Sequence, residues 1–224
     1  MGRRVRREKD VLPFKMRGGA RPGAGRKPKG ERAGVSHARR EALSGREPVH
    51  ATAKLARGLP RLRSKQEYRV LREAFVAGCD RRGFRLVHYA VLNDHLHLVV
   101  EAEGREALSR GLQGLLVRVA RALNRLWARR GRVFADRYHE RVLKTPLEVK
   151  RVLAYVLGNA RKHLKEGRAV ANALGPIDFY SSAAWFDGWQ VTLTVRNAPQ
   201  RPVTKARTWL LATGWRRHGL LVPA

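Results

Sequence analysis

Two histidines separated by a single residue are the sharpest chemical feature of this sequence. His95 and His97 stand in the run NDHLHLVV, residues 93–100. Side chains on a β-strand alternate between its two faces, so both imidazoles point to one face and Leu96 to the other. Two imidazoles on one face can share a divalent metal ion. The same spacing is also typical of two ordinary strand histidines, and the pair by itself does not decide between them.

A downstream segment with helical spacing supplies a candidate nucleophile. Tyr155 and Asn159 stand one turn apart, so both project from the same face of the predicted helix. A tyrosine oxygen can attack a phosphate once it is deprotonated and the phosphate is polarised, which a divalent ion can do. The amide oxygen of Asn159 is a sensible third ligand beside the two histidines. The alternative is that Tyr155 is an aromatic residue packed among the neighbouring valines and leucines.

Tyr138 is the rival nucleophile. It lies in the run FADRYHER, residues 134–141, which we predict to be part of a strand. It has no amide partner at helical spacing, and strand alternation equally permits a structural role, so we favour Tyr155. We interpret His88 and His139 as structural or solvent-facing residues and not as metal ligands.

A sheet and three helices are predicted to position these residues. Apolar residues alternate in four segments and recur every three or four residues in three others. Ser64 is placed to cap one helix, and the run TPLE, residues 145–148, has the N-cap, proline and glutamate of a capping box. The predicted strands are residues 49–55, 84–92, 95–101 and 133–143, and the predicted helices are residues 64–81, 108–128 and 145–165.

The order of these elements predicts the fold class and the domains. Strand, helix, strand, strand, helix, strand indicates an α+β fold, with a ferredoxin-like antiparallel four-stranded sheet covered by two helices on one face. The tyrosine-bearing helix is appended to that core. We expect a flexible basic arm over residues 1–45 and a catalytic domain over residues 46–168. A tryptophan-rich extension over residues 169–224 contains one predicted short helix, residues 203–213.

The charge of the chain indicates a polyanionic partner. The sequence has 48 Lys and Arg against 18 Asp and Glu, a formal net charge of +30. Nucleic acid is the usual polyanion, because each phosphate contact also releases condensed counterions. A GC-rich genome would explain a preference for Arg over Lys, but it would not explain the scarcity of acids. The residues that we expect to contact nucleic acid are Arg21, Arg26, Lys27, Lys29, Arg137, Arg151 and Lys162.

The remaining composition excludes several classes of protein. The one cysteine, Cys79, rules out an intramolecular disulfide and a multi-cysteine zinc site. No apolar run approaches the roughly 18 residues that span a bilayer, and the basic N-terminus has no apolar segment behind it. We therefore expect a cytoplasmic, nucleoid-associated protein.

Taken together, the motifs resemble those of the HUH single-tyrosine transposases, and more narrowly the branch of REP-associated tyrosine transposases. The resemblance rests on His95-Leu96-His97 and on the run YVLGN, residues 155–159, and it covers about Val49 to Lys165. It implies that His95, His97 and Asn159 bind Mg²⁺ or Mn²⁺. It also implies that Tyr155 attacks a DNA phosphate, forming a 5′-phosphotyrosine link and freeing a 3′-hydroxyl. The implied substrate is single-stranded DNA, with or without a hairpin, and the implied enzyme is a monomer or a homodimer.

Two positions depart from the family pattern. Ala160 follows Asn159 where the family commonly has proline, which removes a helix stop. Asp94 precedes the first histidine where the family usually has asparagine, and it either tunes a metal site or caps the turn; we favour the turn. The alternative functions are an inactive relative that binds DNA or RNA hairpins without cutting them, and a basic structural protein associated with RNA.

Overall fold

The computed structural model describes residues 40–163, 177–191 and 200–223, and of residues 159–163 it describes the backbone only. All of these residues belong to one unit that spans Val35 to Ala224. Residues 1–39 of the predicted basic arm, including Arg21, Arg26, Lys27 and Lys29, lie outside the described residues.

An antiparallel sheet forms the centre of the fold. Its five strands lie in the order β2-β3-β4-β1-β5, and every neighbouring pair is antiparallel. Apart from the two-residue β2, the strands have the ferredoxin-like order, which confirms the predicted α+β fold. The strands are β1 (Val49–Lys54), β2 (Asp80–Arg81), β3 (Phe84–Val91), β4 (His95–Ala102) and β5 (His139–Val142). The helices are α1 (Lys65–Val76), α2 (Arg105–Leu126), α3 (Pro146–His163) and the short α4 (Trp209–Ala212), with 3-10 turns at Ser182–Trp185 and Gly214–His218.

Each face of the sheet is covered by its own helices because apolar residues alternate along the central strands. Val49, Ala51 and Ala53 of β1 are buried in the cluster that also contains the apolar stripes of α1 and α2. Val99 of β4 is buried on the opposite side, in the cluster that contains the apolar residues of α3. The tyrosine-bearing helix therefore covers the face that the two predicted core helices leave open.

Two predicted helix starts, those of α1 and α3, are confirmed by their caps. The Ser64 side chain accepts a hydrogen bond from the backbone of Glu67. At the start of α3, the Glu148 backbone N–H donates to Thr145 Oγ1 at 3.2 Å, and Glu148 Oε2 accepts from the Thr145 backbone at 3.2 Å. This reciprocal pair is a capping box, which fixes where α3 begins.

The end of α1 and the start of the fourth strand are predicted wrongly. Helix α1 ends at Val76, and not near residue 81, because residues 80–81 turn back through a two-residue loop to pair with β3. Gly83 in that loop has φ +73°, a conformation that suits glycine. The fourth predicted strand is reduced to β5, because residues 133–135 pair separately with the end of β1 and the chain leaves the sheet edge before residue 139.

The C-terminal residues attach to the sheet through the buried carboxylate of Glu101. Arg85 donates two hydrogen bonds of 3.1 Å to Glu101 Oε2. The backbone N–H groups of Arg207 and Thr208 and the Thr208 hydroxyl also donate to this carboxylate, at 2.7–3.0 Å. Because Thr208 is extended, binds Glu101 and caps α4, the helix predicted over residues 203–213 is confined to α4.

In the parts of the chain that the structure describes, no helix combines the length and the apolar character needed to cross a bilayer.

Replacing Glu101 tests how strongly this carboxylate holds the C-terminal residues. Glu101→Gln keeps the shape but puts an NH2 group against donors, and we expect the free energy of unfolding to fall by about 3 kcal/mol. Urea unfolding followed by tryptophan fluorescence measures the change. Glu103→Gln, at an exposed position, is the control. A change in Glu101→Gln no larger than in this control would contradict the anchoring role.

Buried His88 predicts a loss of stability in mild acid. Its Nδ1 lies 3.2 Å from Ser182 Oγ, and burial, helped by Arg201, lowers its pKa to about 3. Below about pH 6.5 the His88 imidazole of the unfolded chain is protonated, whereas in the folded chain it stays neutral down to about pH 3. This contribution to stability is therefore complete above pH 6.5 and declines as the pH falls toward 3. Between pH 7.5 and pH 5 the loss is about 2 kcal/mol.

The His88→Gln variant should show a shallower decline in the free energy of unfolding over that pH range, by about 2 kcal/mol. Urea unfolding at a series of pH values measures it. His139→Gln, which replaces an exposed imidazole, should keep the steepness of the unmodified chain. Equal slopes in the two variants would show that His88 is not the group responsible.

Candidate active site

The two motif histidines converge on one point at the start of β4. Their Nε2 atoms lie 3.1 Å apart, and the rings meet edge to face with centroids 4.7 Å apart. Two nitrogen ligands on one octahedral ion with bonds of about 2.1 Å are about 3.0 Å apart. The spacing of the Nε2 atoms therefore suits a shared divalent ion.

The other ring nitrogen of each histidine has a polar partner. Asp94 Oδ1 lies 2.7 Å from His95 Nδ1, and because a carboxylate only accepts, the Nδ1 of His95 carries the proton. Thr52 Oγ1 and His50 Nε2 each lie 3.1 Å from His97 Nδ1. When His97 Nδ1 donates to these two acceptors, both Nε2 lone pairs face each other, and a cation bound between them would relieve their repulsion. Metal-binding histidines commonly have such outer partners.

Asp94 acts on the imidazole of His95 and is not simply a cap of the turn. Its hydrogen bond to His95, more than the nearby Lys54 ammonium, lowers the pKa of the Asp94 carboxyl. Lys54 Nζ lies 3.8 Å from the second carboxylate oxygen. That this contact tunes a metal site stays a prediction.

His50 and Thr52 are site residues that sequence reasoning missed. Both belong to β1, where alternation places them on one face, and Thr52 lies directly opposite His97 in the β1–β4 register. Burial, assisted by the positive charge of Arg141, lowers the pKa of His50 to about 4. A neutral His50 can accept a hydrogen bond from His97. Alternation along residues 49–55 could have paired His50 with Thr52, but it could not have placed them beside His97.

Tyr155 lies over the histidines from α3. Its ring centroid is 5.0 Å from that of His97, with the rings nearly perpendicular, and 6.2 Å from that of His50. The side chain is 37% exposed, so the alternative of a fully packed aromatic residue does not describe it. Arg151 is exposed one turn earlier on the same helix. A phosphate placed against the histidines would therefore be within reach of Tyr155.

The third predicted ligand and one predicted cation lie where only the backbone is described. Asn159 and Lys162 belong to α3, but their side chains are outside the described residues. Within the described residues, no three His, Cys, Asp or Glu side chains form a group that could hold a metal ion. The amide that the sequence predicts as the third ligand, at position 159, stays a prediction.

Tyr138 lies on the other side of the sheet. His139 opposes Thr52 in the β1–β5 register, so Tyr138 faces the α1 and α2 side, where it packs against the core. The Arg40 guanidinium lies 4.1 Å from its ring centroid, and burial raises its pKa. Tyr138 and Arg137 line a cavity of about 920 Å³ beside α2. The structure thus brings Tyr155, and not Tyr138, to the histidines.

Thr52→Val tests whether the outer contacts of His97 support metal binding. Removing the hydroxyl while keeping the shape should weaken Mn²⁺ binding about tenfold, because the orientation and tautomer of His97 are held less firmly. Isothermal titration calorimetry of the purified chain measures the affinity. Thr204→Val, remote from the histidines, should bind Mn²⁺ like the unmodified chain. Unchanged affinity in Thr52→Val would remove the outer role of this hydroxyl.

Comparisons with known proteins find a likeness to a solved structure. No protein-family model matches the chain, and no curated protein matches it. Among solved structures, the chain is similar to a REP-associated tyrosine transposase bound to a REP hairpin, with 19% sequence identity and a TM-score of 0.47. The match covers 71% of this chain and all of that one.

Proposed function

We propose that this chain is a metal-dependent enzyme that cuts and rejoins single-stranded DNA. The observation that carries the proposal is the placement of Tyr155 against two histidines whose Nε2 atoms converge to 3.1 Å. The net charge of +30 supports a nucleic-acid substrate. A hairpin or repeat element is the class of DNA that the family resemblance suggests.

In the proposed reaction Tyr155 is the nucleophile. Its phenol oxygen loses its proton and attacks a DNA phosphorus, the bond from phosphorus to the 3′ oxygen breaks, and that oxygen takes up a proton. A 5′-phosphotyrosine and a free 3′-hydroxyl result, and attack by a 3′-hydroxyl reverses the step without ATP. His95 and His97, with Asn159 as the proposed third ligand, would hold Mg²⁺ or Mn²⁺. When bound, the ion would polarise a non-bridging phosphate oxygen.

The contacts around the histidines assign further roles in this proposal. Asp94 and Thr52 fix the two imidazoles so that both Nε2 atoms point toward the substrate side. Arg151, exposed one turn before Tyr155, is placed to contact a backbone phosphate next to the one that is cut. The proposed location is with the DNA in the cytoplasm, and the active form is either a monomer or a homodimer.

A covalent intermediate is the measurement that tests the nucleophile. Labelled single-stranded oligonucleotides carrying a hairpin are incubated with the chain in Mn²⁺ or EDTA and run on a denaturing gel. We expect a metal-dependent protein–DNA band that Tyr155→Phe and His97→Ala both lose, by at least about 100-fold. Tyr138→Phe removes the matched hydroxyl on the other side of the sheet and should retain the band.

Two results would contradict the proposal. A band that survives Tyr155→Phe and disappears in Tyr138→Phe would move the nucleophile to Tyr138. Hairpin binding without any covalent band, in EDTA and in Mn²⁺ alike, would favour a protein that binds hairpins without cutting them. Circular dichroism of each variant ensures that a lost band is not a lost fold.

A further inference from the structure

A second positively charged feature lies away from the candidate active site. It is a cleft of about 310 Å³ between the end of α1, the β2–β3 loop and α2, and we name it the arginine cleft. Arg81, Arg82, Arg110 and Arg118 line it, and none of its described lining residues is Asp or Glu. Four guanidinium groups around one concavity form a site for phosphate groups.

Two of these arginines have no protein partner in the described parts of the chain. Arg110 pairs with Glu106 at 2.7 Å, and Arg81 donates to the Ala77 carbonyl at 2.8 Å. Arg82 and Arg118 are exposed and take part in no hydrogen bond or ion pair with a described residue. Their charge is therefore available to an external anion.

Gly114 lines the cleft at a position where an added Cβ would meet no other atom. At position 111 of α2 only glycine fits, because an added Cβ would lie 2.1 Å from the ring of Phe84. Gly114, one turn further, has nothing within 4 Å of the same position. Glycine in the middle of a helix is destabilising relative to alanine. The missing side chain at residue 114 leaves a backbone surface that a ligand can approach closely between the arginines.

The cleft and the histidines lie at opposite ends and on opposite faces of the sheet. Phe84 lines the cleft and pairs with Ala102, the last residue of β4, whereas His95 is the first. Seven residue steps along a strand are roughly 23 Å, or roughly seven base pairs, and the path from one face to the other is longer than this. One nucleic acid of sufficient length can therefore reach both places, and a very short one cannot.

We propose that the arginine cleft binds the phosphodiester backbone of the DNA at a distance from the phosphate that Tyr155 attacks. The inference rests on DNA being the substrate of the proposed function, but it does not require that the DNA is cut. Arg82 and Arg118 contact the phosphates directly, and Gly114 lets the backbone lie against α2. The cleft adds affinity for long substrates and orients them relative to the histidines.

Binding measurements separate this site from the general positive charge. Fluorescence anisotropy measures the affinity of the Tyr155→Phe protein for two labelled DNAs in EDTA. One is a long hairpin with a single-stranded flank, and the other is a single-stranded oligonucleotide too short to span roughly 23 Å. The cleft variant is Arg82→Ala with Arg118→Ala. The matched control is Arg121→Ala with Arg125→Ala, which removes the same charge from exposed positions of α2 outside the cleft.

We expect the cleft variant to bind the long DNA about tenfold more weakly than the control does. The slope of log affinity against log salt should also fall by about 1.4 to 1.8, because two phosphate contacts are lost. The two variants should bind the short oligonucleotide alike. Equal loss of affinity for the long DNA in both variants would overturn the proposal, because the arginines would then act only through net charge.

A change without loss of charge gives an independent test. Gly114→Gln fills the cleft, whereas Gly114→Ala adds one methyl group and restores helix propensity. We expect Gly114→Gln to bind the long DNA several-fold more weakly than Gly114→Ala, with thermal stability no lower than that of the parent chain. Equal affinity in the two variants would show that DNA does not enter the cleft. A missing covalent band with Tyr155 intact would refute the cutting function and leave this binding result standing.

Discussion

The antiparallel pairing of β1 with β4 is the constraint on which the candidate site depends. It places Thr52 opposite His97 and brings His50 to within 3.1 Å of the same imidazole. Because side chains alternate along a strand, a slip of one residue in β4 would turn both motif histidines toward α1 and α2. Leu96 and Leu98, fully buried on that side, would then face α3. The cost of taking Leu96 and Leu98 out of the α1 and α2 core and placing imidazoles there holds the register.

The placement of α3 follows from the same alternation. Val99 and its neighbours leave an apolar surface between polar residues on the second face of the sheet, and Val149, Leu153 and Val156 of α3 are buried against it. Tyr155 falls between these buried positions, so its ring reaches His97 while its edge stays in solvent. Stabilising packing and access to substrate are thus combined in neighbouring residues of one helix.

Three of the acidic residues are paired with donors inside the fold. Glu101 is enclosed by Arg85 and by backbone donors, and Asp178 forms a two-point pair with Arg63. Glu140 bridges Arg40 and Arg105. Such partly or fully buried pairs satisfy the carboxylates at a desolvation cost. Arg82, Arg118 and Arg151 are exposed and form no such pair with a residue that the structure describes, so they are suited to contact phosphates.

The sequence by itself determined the order of the elements, both caps and the pairing of His95 with His97 on one face, because these depend on local periodicity and short-range hydrogen bonds. It did not determine the end of α1, the break before β5 or the extent of α4, since these are set by pairing of residues 80–81, by the sheet edge and by Glu101. Only the tertiary structure brought His50 and Thr52 to His97 and separated Tyr138 from Tyr155. Contacts between residues far apart in the chain depend on strand register and on which face a helix covers, and neither is encoded in a local pattern.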